Sequence, residues 1–334
     1  MLEKVLGALL PAIITILLGY FAARHHDFSQ KEVPTLSRMV MGYALPLSLF
    51  VGVVSAGRKE LLADLPLVAF LAGAIIGMYF LILALAVFVF RHPPGLSALR
   101  ALTAAAPSTA FVGTPVLGYL YGATGDIPIA VGSIIIVVCL VPTTLILLAI
   151  DGQAPKAPQA PKAPLASEPP AVGAVAGASL APKVDLRGKI VEALKQPVVW
   201  VPFSGFFFVA LDLDLPEIFD NSLSLLGNAS AGVALFTSGI ILAGYRITLS
   251  MPVLFLVFIK NVVQPGLVCA GMLWLGFGNP ILGQTVVTTA LPAVTLVVML
   301  AVQYRVAIPE TASALLISTF GSLLTMSAFI WLLS

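Results

Sequence analysis

The chain has 334 residues, of which 59% are hydrophobic and 10% are charged, whereas about a quarter of the residues in an ordinary soluble domain carry charge. This composition excludes a soluble globular protein and indicates an integral membrane protein in a lipid bilayer. With 17 basic and 15 acidic residues the formal charge is only +2, so no nucleic acid is expected as a partner. Cys139 and Cys269 lie in apolar runs, which predicts neither a disulfide framework nor a metal site.

Apolar runs of about 20 residues, the length that crosses a bilayer core, recur along the chain. They lack the alternation of β-barrel strands, so the expected fold is all-α with ten transmembrane helices. The first run is longer than the core of a signal peptide and is expected to be retained as a helix. The spans are predicted near 4–23, 34–54, 65–90, 97–122, 126–150, 190–211, 217–244, 250–276, 279–303 and 309–333.

Residues 151–188 differ from the rest because they are rich in Pro and Ala, with seven prolines that deny backbone donors to regular structure. This composition predicts an extended or disordered linker between a first domain, 1–150, and a second, 189–334. The linker is either a plain spacer or a regulatory docking segment.

The basic residues fall mainly on one face of the predicted membrane protein. Of the 17, Lys260 lies within a span and three (Lys4, Arg58 and Lys59) lie on the face of the N-terminus, whereas the other thirteen lie in loops after odd-numbered spans or in the linker. The positive-inside rule predicts a multi-pass protein of the cell inner (plasma) membrane, with both termini outside and the linker in the cytoplasm.

Five spans in each half reverse the polarity of the second half, so any internal repeat must be inverted. Residues 36–54 align with 223–241 at an offset of 187, and residues 103–111 align with 288–296 at an offset of 185. The nearly equal offsets predict two inverted five-helix repeats, in which spans four and nine are equivalent.

Span four carries prolines beside clustered hydroxyl residues. A proline removes one backbone donor and frees the carbonyl four residues earlier, so Pro107 and Pro115 are expected to interrupt the helix. Gly113 and Thr114, followed by Pro115, are typical of an N-cap and a first helical turn. Span four is therefore predicted to consist of two half-helices.

Span nine is predicted to break at Pro292, with Thr295 able to cap its second half. Irregular backbone at this depth is tolerated where it lines a cavity, and half-helix N-termini offer N–H groups to anions. The crossing of the two breaks is the candidate transport site, and ordinary proline kinks are the alternative.

Span eight carries Lys260 near mid-membrane, where a charge costs at least about 2.5–3.5 kcal/mol and normally faces a cavity or a partner. All fifteen acidic residues lie in loops or near helix ends. Asn261 and Gln264 add amides on the same helix, so the cluster could hold an anion. Alternatively, Lys260 bonds a carbonyl of a broken helix and holds two segments together.

The predicted substrate contacts share a polar side chain or an N-cap position near the breaks. They are Ser108, Thr109, Thr114, Lys260, Asn261, Gln264 and Thr295. No catalytic residue, metal or cofactor is expected. The sequence contains no nucleotide-binding motif, and no pair of side chains suited to catalysis lies at a common depth in the membrane.

The chain resembles the auxin efflux carrier family, especially its bacterial malonate-transporter-like members. Four blocks in order carry the resemblance: YALPLSLFVGVV, STAFVGTPVLG, KNVVQPGL and ALPAVTLVVMLAVQY. The resemblance implies crossed broken helices four and nine, a scaffold of spans one, two, six and seven, a homodimer, and an elevator-type alternating-access mechanism. Many relatives have asparagine where this chain has Ser108, which implies a shorter or water-mediated polar contact here.

The leading functional hypothesis is a secondary transporter of small organic anions, with a short dicarboxylate such as malonate first among the candidates. Proton-linked transport, with protons carried on the substrate, or facilitated transport is expected, because no carboxylate lies near mid-membrane. A sodium-coupled symporter of bile-acid type, a carrier of an aromatic monocarboxylate seated near Phe111, and a non-transporting membrane receptor are the alternatives. An enzyme is not expected.

Overall fold

The structure is a computed structural model that describes residues 2–55, 65–151, 194–211 and 215–333, together with Gly188, Val191 and Leu213. The described residues are mostly helical and contain no strand. Apart from its two ends, Asp151 and Gly188, the predicted linker lies outside the described residues.

Helices follow one another along both halves of the chain. The first half contains α1 (Leu2–Arg24), α2 (Val33–Met39), α3 (Leu45–Ser55), α4 (Leu65–Ala84), α5 (Pro94–Ala105), α6 (Thr114–Tyr121), α7 (Asp126–Ile135) and α8 (Val141–Ile150). The second half contains α9 (Pro197–Ala210), α10 (Glu217–Gly244), α11 (Met251–Phe258), α12 (Gln264–Trp274), α13 (Ile281–Ala290), α14 (Leu296–Tyr304) and α15 (Ile308–Leu333).

Six helical stretches in the described part of the chain are long and apolar enough to cross a membrane. They are Val33–Val54, Leu65–Val89, Asp126–Ile150, Glu217–Gly244, Met251–Trp274 and Ile308–Leu333. The helical content and these stretches agree with the predicted all-α integral membrane protein. The arrangement into ten spans and two inverted repeats stays a prediction.

Predicted spans four and nine are absent from these six stretches because each is divided into two short helices. Span four consists of α5 and α6, joined by an extended segment and a π-helical turn, and span nine consists of α13 and α14. A helix that ends inside the protein leaves backbone carbonyls and N–H groups without intrahelical partners. The two divided spans therefore concentrate polar backbone in the interior.

Four π-helical turns each end two residues before a proline. Val40–Ala44 precedes Pro46, Thr109–Gly113 precedes Pro115, Ile136–Leu140 precedes Pro142, and Ile259–Val263 precedes Pro265. A proline lacks the N–H that a regular helix needs, and its ring crowds the carbonyl of the preceding turn. The wider π turn relieves this crowding, so these helices continue through their prolines without a break.

One group of helices consists of α1, α3, α9 and α10. Helix α1 lies along α10, and α3 packs on both α9 and α10. A Cβ added at Gly19 would collide with the carbonyl of Phe236, and one at Gly239 would collide with the carbonyl of Ile16. Glycine at both positions therefore lets the backbones of α1 and α10 approach closely.

A second group contains the two divided spans. Helix α4 packs on α5 and α7, α5 packs on α8, and α13 packs on α12 and α15. Arg100 of α5 forms a two-point ion pair with Glu310 of α15, with Nε–Oε1 and Nη2–Oε2 distances of 2.7 and 3.0 Å. Tyr79 Oη and Thr144 Oγ1, 2.9 Å apart, join α4 to α8. The ion pair therefore attaches α5, the first half of the divided span four, to α15.

Candidate functional site

The first break lies at Ala106–Ser108, directly after α5. Ala106 is extended (φ −88°, ψ 116°), as a residue before proline tends to be. The amides of Val112 and Gly113 both donate to the carbonyl of Ser108 at 2.9 Å. The chain therefore resumes a helix immediately after Ser108, beginning with the π turn Thr109–Gly113.

This position corrects the expectation that Gly113, Thr114 and Pro115 form a break. Gly113 and Thr114 both have helical dihedral angles, because the π turn accommodates Pro115. A Cβ added at Gly113 would lie 3.3 Å from Cδ1 of Leu291, so glycine here allows the second break to pack closely. Thr114 is exposed, within the helical run.

The second break follows α13 and includes Pro292. Leu291 is extended in ψ (φ −56°, ψ 150°), and α14 begins at Leu296 with Thr295 at its N-cap. Since Pro292 has no N–H, it cannot continue the hydrogen bonding of α13. Span nine therefore consists of two half-helices that meet at this segment.

The two breaks cross as a short antiparallel pair of extended backbones. Pro107 and Ala293 form an isolated bridge, in which Ser108 N donates to Pro292 O at 2.9 Å and Val294 N donates to Ala106 O at 3.0 Å. These bonds satisfy backbone groups that would otherwise be unpaired inside a membrane protein. The crossing therefore brings four helix ends together: the C-termini of α5 and α13 and the N-termini of the two second halves.

Lys260 and Gln264 bind the C-terminal ends at this crossing. Lys260 is completely buried, and its Nζ donates to the carbonyl of Thr289 at 2.6 Å and to Gln264 Oε1 at 3.1 Å. Gln264 Nε2 donates to the carbonyl of Ala105 at 2.8 Å. This geometry corresponds to the alternative in which Lys260 bonds a carbonyl of a broken helix and holds two segments together.

Asn261 and Ser318 hold the middle of the second break. Asn261 Nδ2 donates to the carbonyl of Ser318 at 2.8 Å, and Ser318 Oγ donates to Asn261 Oδ1 at 2.7 Å. Ser318 Oγ also accepts from the amide of Ala293 at 2.9 Å. Asn261 therefore contacts the second break indirectly, through its hydrogen bonds to Ser318 of α15.

Two buried hydroxyls at the crossing have no hydrogen-bond partner within the described part of the chain. They are Ser108 Oγ and Thr295 Oγ1. Ser108 is 1% exposed and Thr295 is 0% exposed. Both residues occupy N-cap positions, before the π turn and before α14, and neither makes a side-chain cap bond. A buried polar group without a partner is costly, so such a pair marks a place where a ligand or water can bind.

A cavity of about 430 Å³ lies next to the crossing, between the two helix groups. Its wall on one side belongs to α3 and Pro202, and its wall on the other side belongs to residues 110–138. The polar lining residues are Ser48, Thr114, Ser133 and Asp126. A smaller adjoining cavity is lined by Ser108, Thr109 and Phe111.

The structure thus separates the predicted substrate contacts into two sets. Ser108, Thr109 and Thr114 line the two adjoining cavities, and Thr295 is buried at the crossing. The span-eight residues (Lys260, Asn261 and Gln264) bond to the backbone or side chains that form the crossing.

Sequence reasoning missed Ser133 and Ser318. Ser133 Oγ lies 2.9 Å from Thr109 Oγ1 at the first break, and Ser318 binds the second break. The two serines are 185 residues apart, the same offset that relates the segments of spans four and nine. Extending that alignment into the following spans would have identified both residues.

Broken helices that meet beside a cavity within a bundle of membrane-spanning helices are typical of a transporter. The family model described as "Membrane transport protein" matches residues 4–330. The "Uncharacterized transporter YfdV" of Escherichia coli (strain K12) is 28% identical over 335 residues, covering 99% of this chain and 98% of that protein. The "Putative malonate transporter" of Rhizobium meliloti (strain 1021) is 24% identical, covering 99% and 97%.

The chain therefore belongs to the membrane transport protein family, and the resemblance to the auxin efflux carrier type is confirmed. It is a multi-pass membrane transporter that acts on a small substrate within a lipid bilayer, and it is not an enzyme.

Proposed function

We propose that this protein is a secondary transporter of small organic anions, with a short dicarboxylate such as malonate as the first candidate substrate. The observation that carries the proposal is the two buried hydroxyls of Ser108 and Thr295 at the N-caps of the two second half-helices. Neither hydroxyl has a hydrogen-bond partner in the part of the chain that the structure describes. Helix N-termini present N–H groups and a partial positive charge, which favour anions. A carboxylate at the crossing would accept hydrogen bonds from both hydroxyls.

Thr114 adds a polar residue to the lining of the larger cavity. Thr109 lines the smaller cavity, and its Oγ1 lies 2.9 Å from Ser133 Oγ. A direct contact of the anion with Lys260, Asn261 or Gln264 stays a prediction from the sequence. A ligand that contacted the Lys260 ammonium would share it with the carbonyl of Thr289 or displace that carbonyl.

The choice of malonate is supported by the similarity to the "Putative malonate transporter" of Rhizobium meliloti (strain 1021). A second candidate, an aromatic monocarboxylate, is favoured by the apolar surface beside the crossing, where Phe111 lines the smaller cavity. The larger cavity, about 430 Å³, is within the usual size range of small-molecule sites and suits either class. Competition between the two classes therefore has to decide the substrate.

We propose an elevator-type cycle in a homodimer built from two inverted five-helix repeats, 1–150 and 189–334, joined by the linker. Helices α1, α3, α9 and α10 pack more extensively on one another than on the helices that hold the breaks, which supports this mechanism. The cavity lies between α3 of the first group and α7 of the second. A displacement of the second group past the first would carry the crossing from one side of the membrane to the other.

We also propose an orientation in the inner membrane with both termini outside and the linker in the cytoplasm, following the distribution of basic residues. In a variant without Cys139 and Cys269, a single cysteine within 151–188 should react with a membrane-impermeant thiol reagent only after the cells are opened. A cysteine replacing Ser334 should react in intact cells. Labelling of the linker in intact cells would contradict this topology.

The test of the proposed function is uptake by the purified protein in liposomes. We expect uptake of radiolabelled malonate that is inhibited by close dicarboxylate relatives at lower concentration than by acetate or indole acetate. The reverse order would support the aromatic monocarboxylate. We expect uptake to persist without sodium at fixed pH and voltage, and strict dependence on sodium would favour the sodium-coupled symporter.

A further inference from the structure

The charges of the crossing limit which ionic form of the substrate it can hold. Each helix end carries about half an elementary charge, negative at the C-terminus and positive at the N-terminus. The C-terminal ends of α5 and α13 together therefore contribute about one negative charge. The N-terminal ends of the helical runs 109–121 and 296–304 contribute about one positive charge.

Lys260 offsets the negative charge of the C-terminal ends of α5 and α13. Its ammonium bonds directly to Thr289 O at the end of α13. Through Gln264, which accepts from Lys260 and donates to Ala105 O, it is linked to the end of α5 as well. Since the single positive charge of Lys260 is set against about one negative charge from these two ends, it adds little net charge to the crossing.

The N-terminal ends have no comparable negative partner among the residues that line the two cavities. Those linings contain no Lys, Arg, His or Glu, and their one ionisable residue is Asp126, exposed in the first turn of α7. On the elements packed around the breaks, Arg100 of α5 is paired with Glu310 of α15, and the Tyr79 hydroxyl of α4 bonds to Thr144. The crossing therefore retains about one positive charge, together with the two unpaired hydroxyls.

We propose that the crossing accepts one ionised carboxylate at a time, so that a dicarboxylate binds and is carried as its singly protonated anion. This inference rests on the proposed function and adds the ionic species to it. A second ionised carboxylate would find no fixed positive charge among the lining residues. A protonated second carboxyl is neutral and can itself donate a hydrogen bond. The proton that accompanies uptake is then the one on the substrate.

The test compares malonate with malonamate, in which a neutral amide replaces one carboxylate at nearly the same size. Binding of each compound to the purified full-length protein is measured by titration calorimetry between pH 5 and pH 8. We expect the apparent dissociation constant of malonate to rise about tenfold per pH unit above the second pKa of malonate, because the singly protonated fraction falls at that rate. The dissociation constant of malonamate should stay nearly constant over the same range.

Removal of Asp126 provides a control for repulsion by the protein itself. In Asp126→Asn the same pH dependence of malonate binding should persist, since the titrating proton belongs to the substrate. Malonate affinity that is independent of pH, together with absent malonamate binding, would overturn the singly charged species and leave the anion transporter intact. Failure of both compounds to bind at any pH would contradict the proposed function itself.

Discussion

Replacement of Lys260 by methionine is expected to lower the affinity for anionic substrates by roughly 5- to 150-fold. Methionine has a similar length and no donor, so the carbonyl of Thr289 and Oε1 of Gln264 each lose a bond in a buried place. We expect this disturbance of the crossing to be coupled to anion binding by about 1–3 kcal/mol, and each 1.4 kcal/mol corresponds to about a factor of ten. The loss of the positive charge also leaves the C-terminal ends of α5 and α13 without their counter-charge.

The comparison of malonate with malonamate separates the two roles of Lys260. If Lys260 holds the crossing together, Lys260→Met should weaken binding of both compounds by the same factor. If Lys260 pairs with a second carboxylate, malonate should lose far more affinity than malonamate. Lys260→Arg keeps a charged donor and should restore part of the affinity while changing the fit. Equal affinities in the wild type and Lys260→Met would contradict both roles.

This measurement needs evidence that the variant is folded. Size-exclusion chromatography and thermal unfolding in detergent should therefore accompany each titration. Lys31→Met, which removes a Lys from the exposed segment before α2, is the matched control and should leave substrate affinity unchanged.

Removal of the two unpaired hydroxyls is expected to weaken substrate binding and to stabilise the protein. A hydrogen bond to a charged group contributes about 1.5–3 kcal/mol, so Ser108→Ala or Thr295→Val should lower the affinity by roughly 10- to 150-fold. In the absence of substrate, each change removes a buried polar atom that has no partner among the described residues, which relieves a cost of about 1–3 kcal/mol. The midpoint of thermal unfolding should therefore rise in both variants.

The chain offers a matched control for this pair. Ser37 of α2 has the third buried hydroxyl without a partner among the described residues, and it lines neither of the two cavities. Ser37→Ala should therefore raise the thermal midpoint while leaving substrate affinity unchanged. Thr144→Val removes a hydroxyl that bonds to Tyr79 Oη and to Leu140 O, and it should lower the midpoint.

A hydroxyl that binds substrate differs from a structural one because its removal lowers the substrate affinity while it raises the midpoint of thermal unfolding. A hydroxyl that only packs would show little change in affinity when it is replaced by a group of similar shape. If Ser108→Ala and Thr295→Val both bind malonate as the wild type does, the crossing is not where the anion binds. The proposed site would then have to move to the larger cavity, beside Ser48 and Ser133.

The prolines illustrate the limit of local sequence reasoning. Pro107 and Pro292 coincide with breaks, whereas Pro115 lies in a continuous helical run behind a π turn. A proline always removes one donor, but a break or a wider turn can each accommodate that loss. Which one forms depends on whether another segment can pair with the extended backbone. At Pro107 the second break provides that partner, and it lies 185 residues away along the chain.

Composition and hydropathy by themselves determined the class of this protein. A chain with 10% charged residues and repeated apolar runs must bury its backbone hydrogen bonds in helices within a bilayer. Four sequence blocks, in spans two, four, eight and nine, were sufficient to indicate its family. Both conclusions depend on local sequence patterns, so they required no knowledge of which distant segments are in contact.

Only the tertiary structure decided the partners of the polar residues. The sequence predicted that Lys260 lies inside the membrane without a carboxylate, and it left open whether an anion or a helix end would face it. The fold brings Thr289 and Ala105 from two other spans to Lys260 and Gln264. It leaves the hydroxyls of Ser108 and Thr295 without a hydrogen-bond partner among the described residues. Hydrogen bonds form over about 3 Å, so such pairing is determined by how distant segments pack, which periodicity and spacing do not encode.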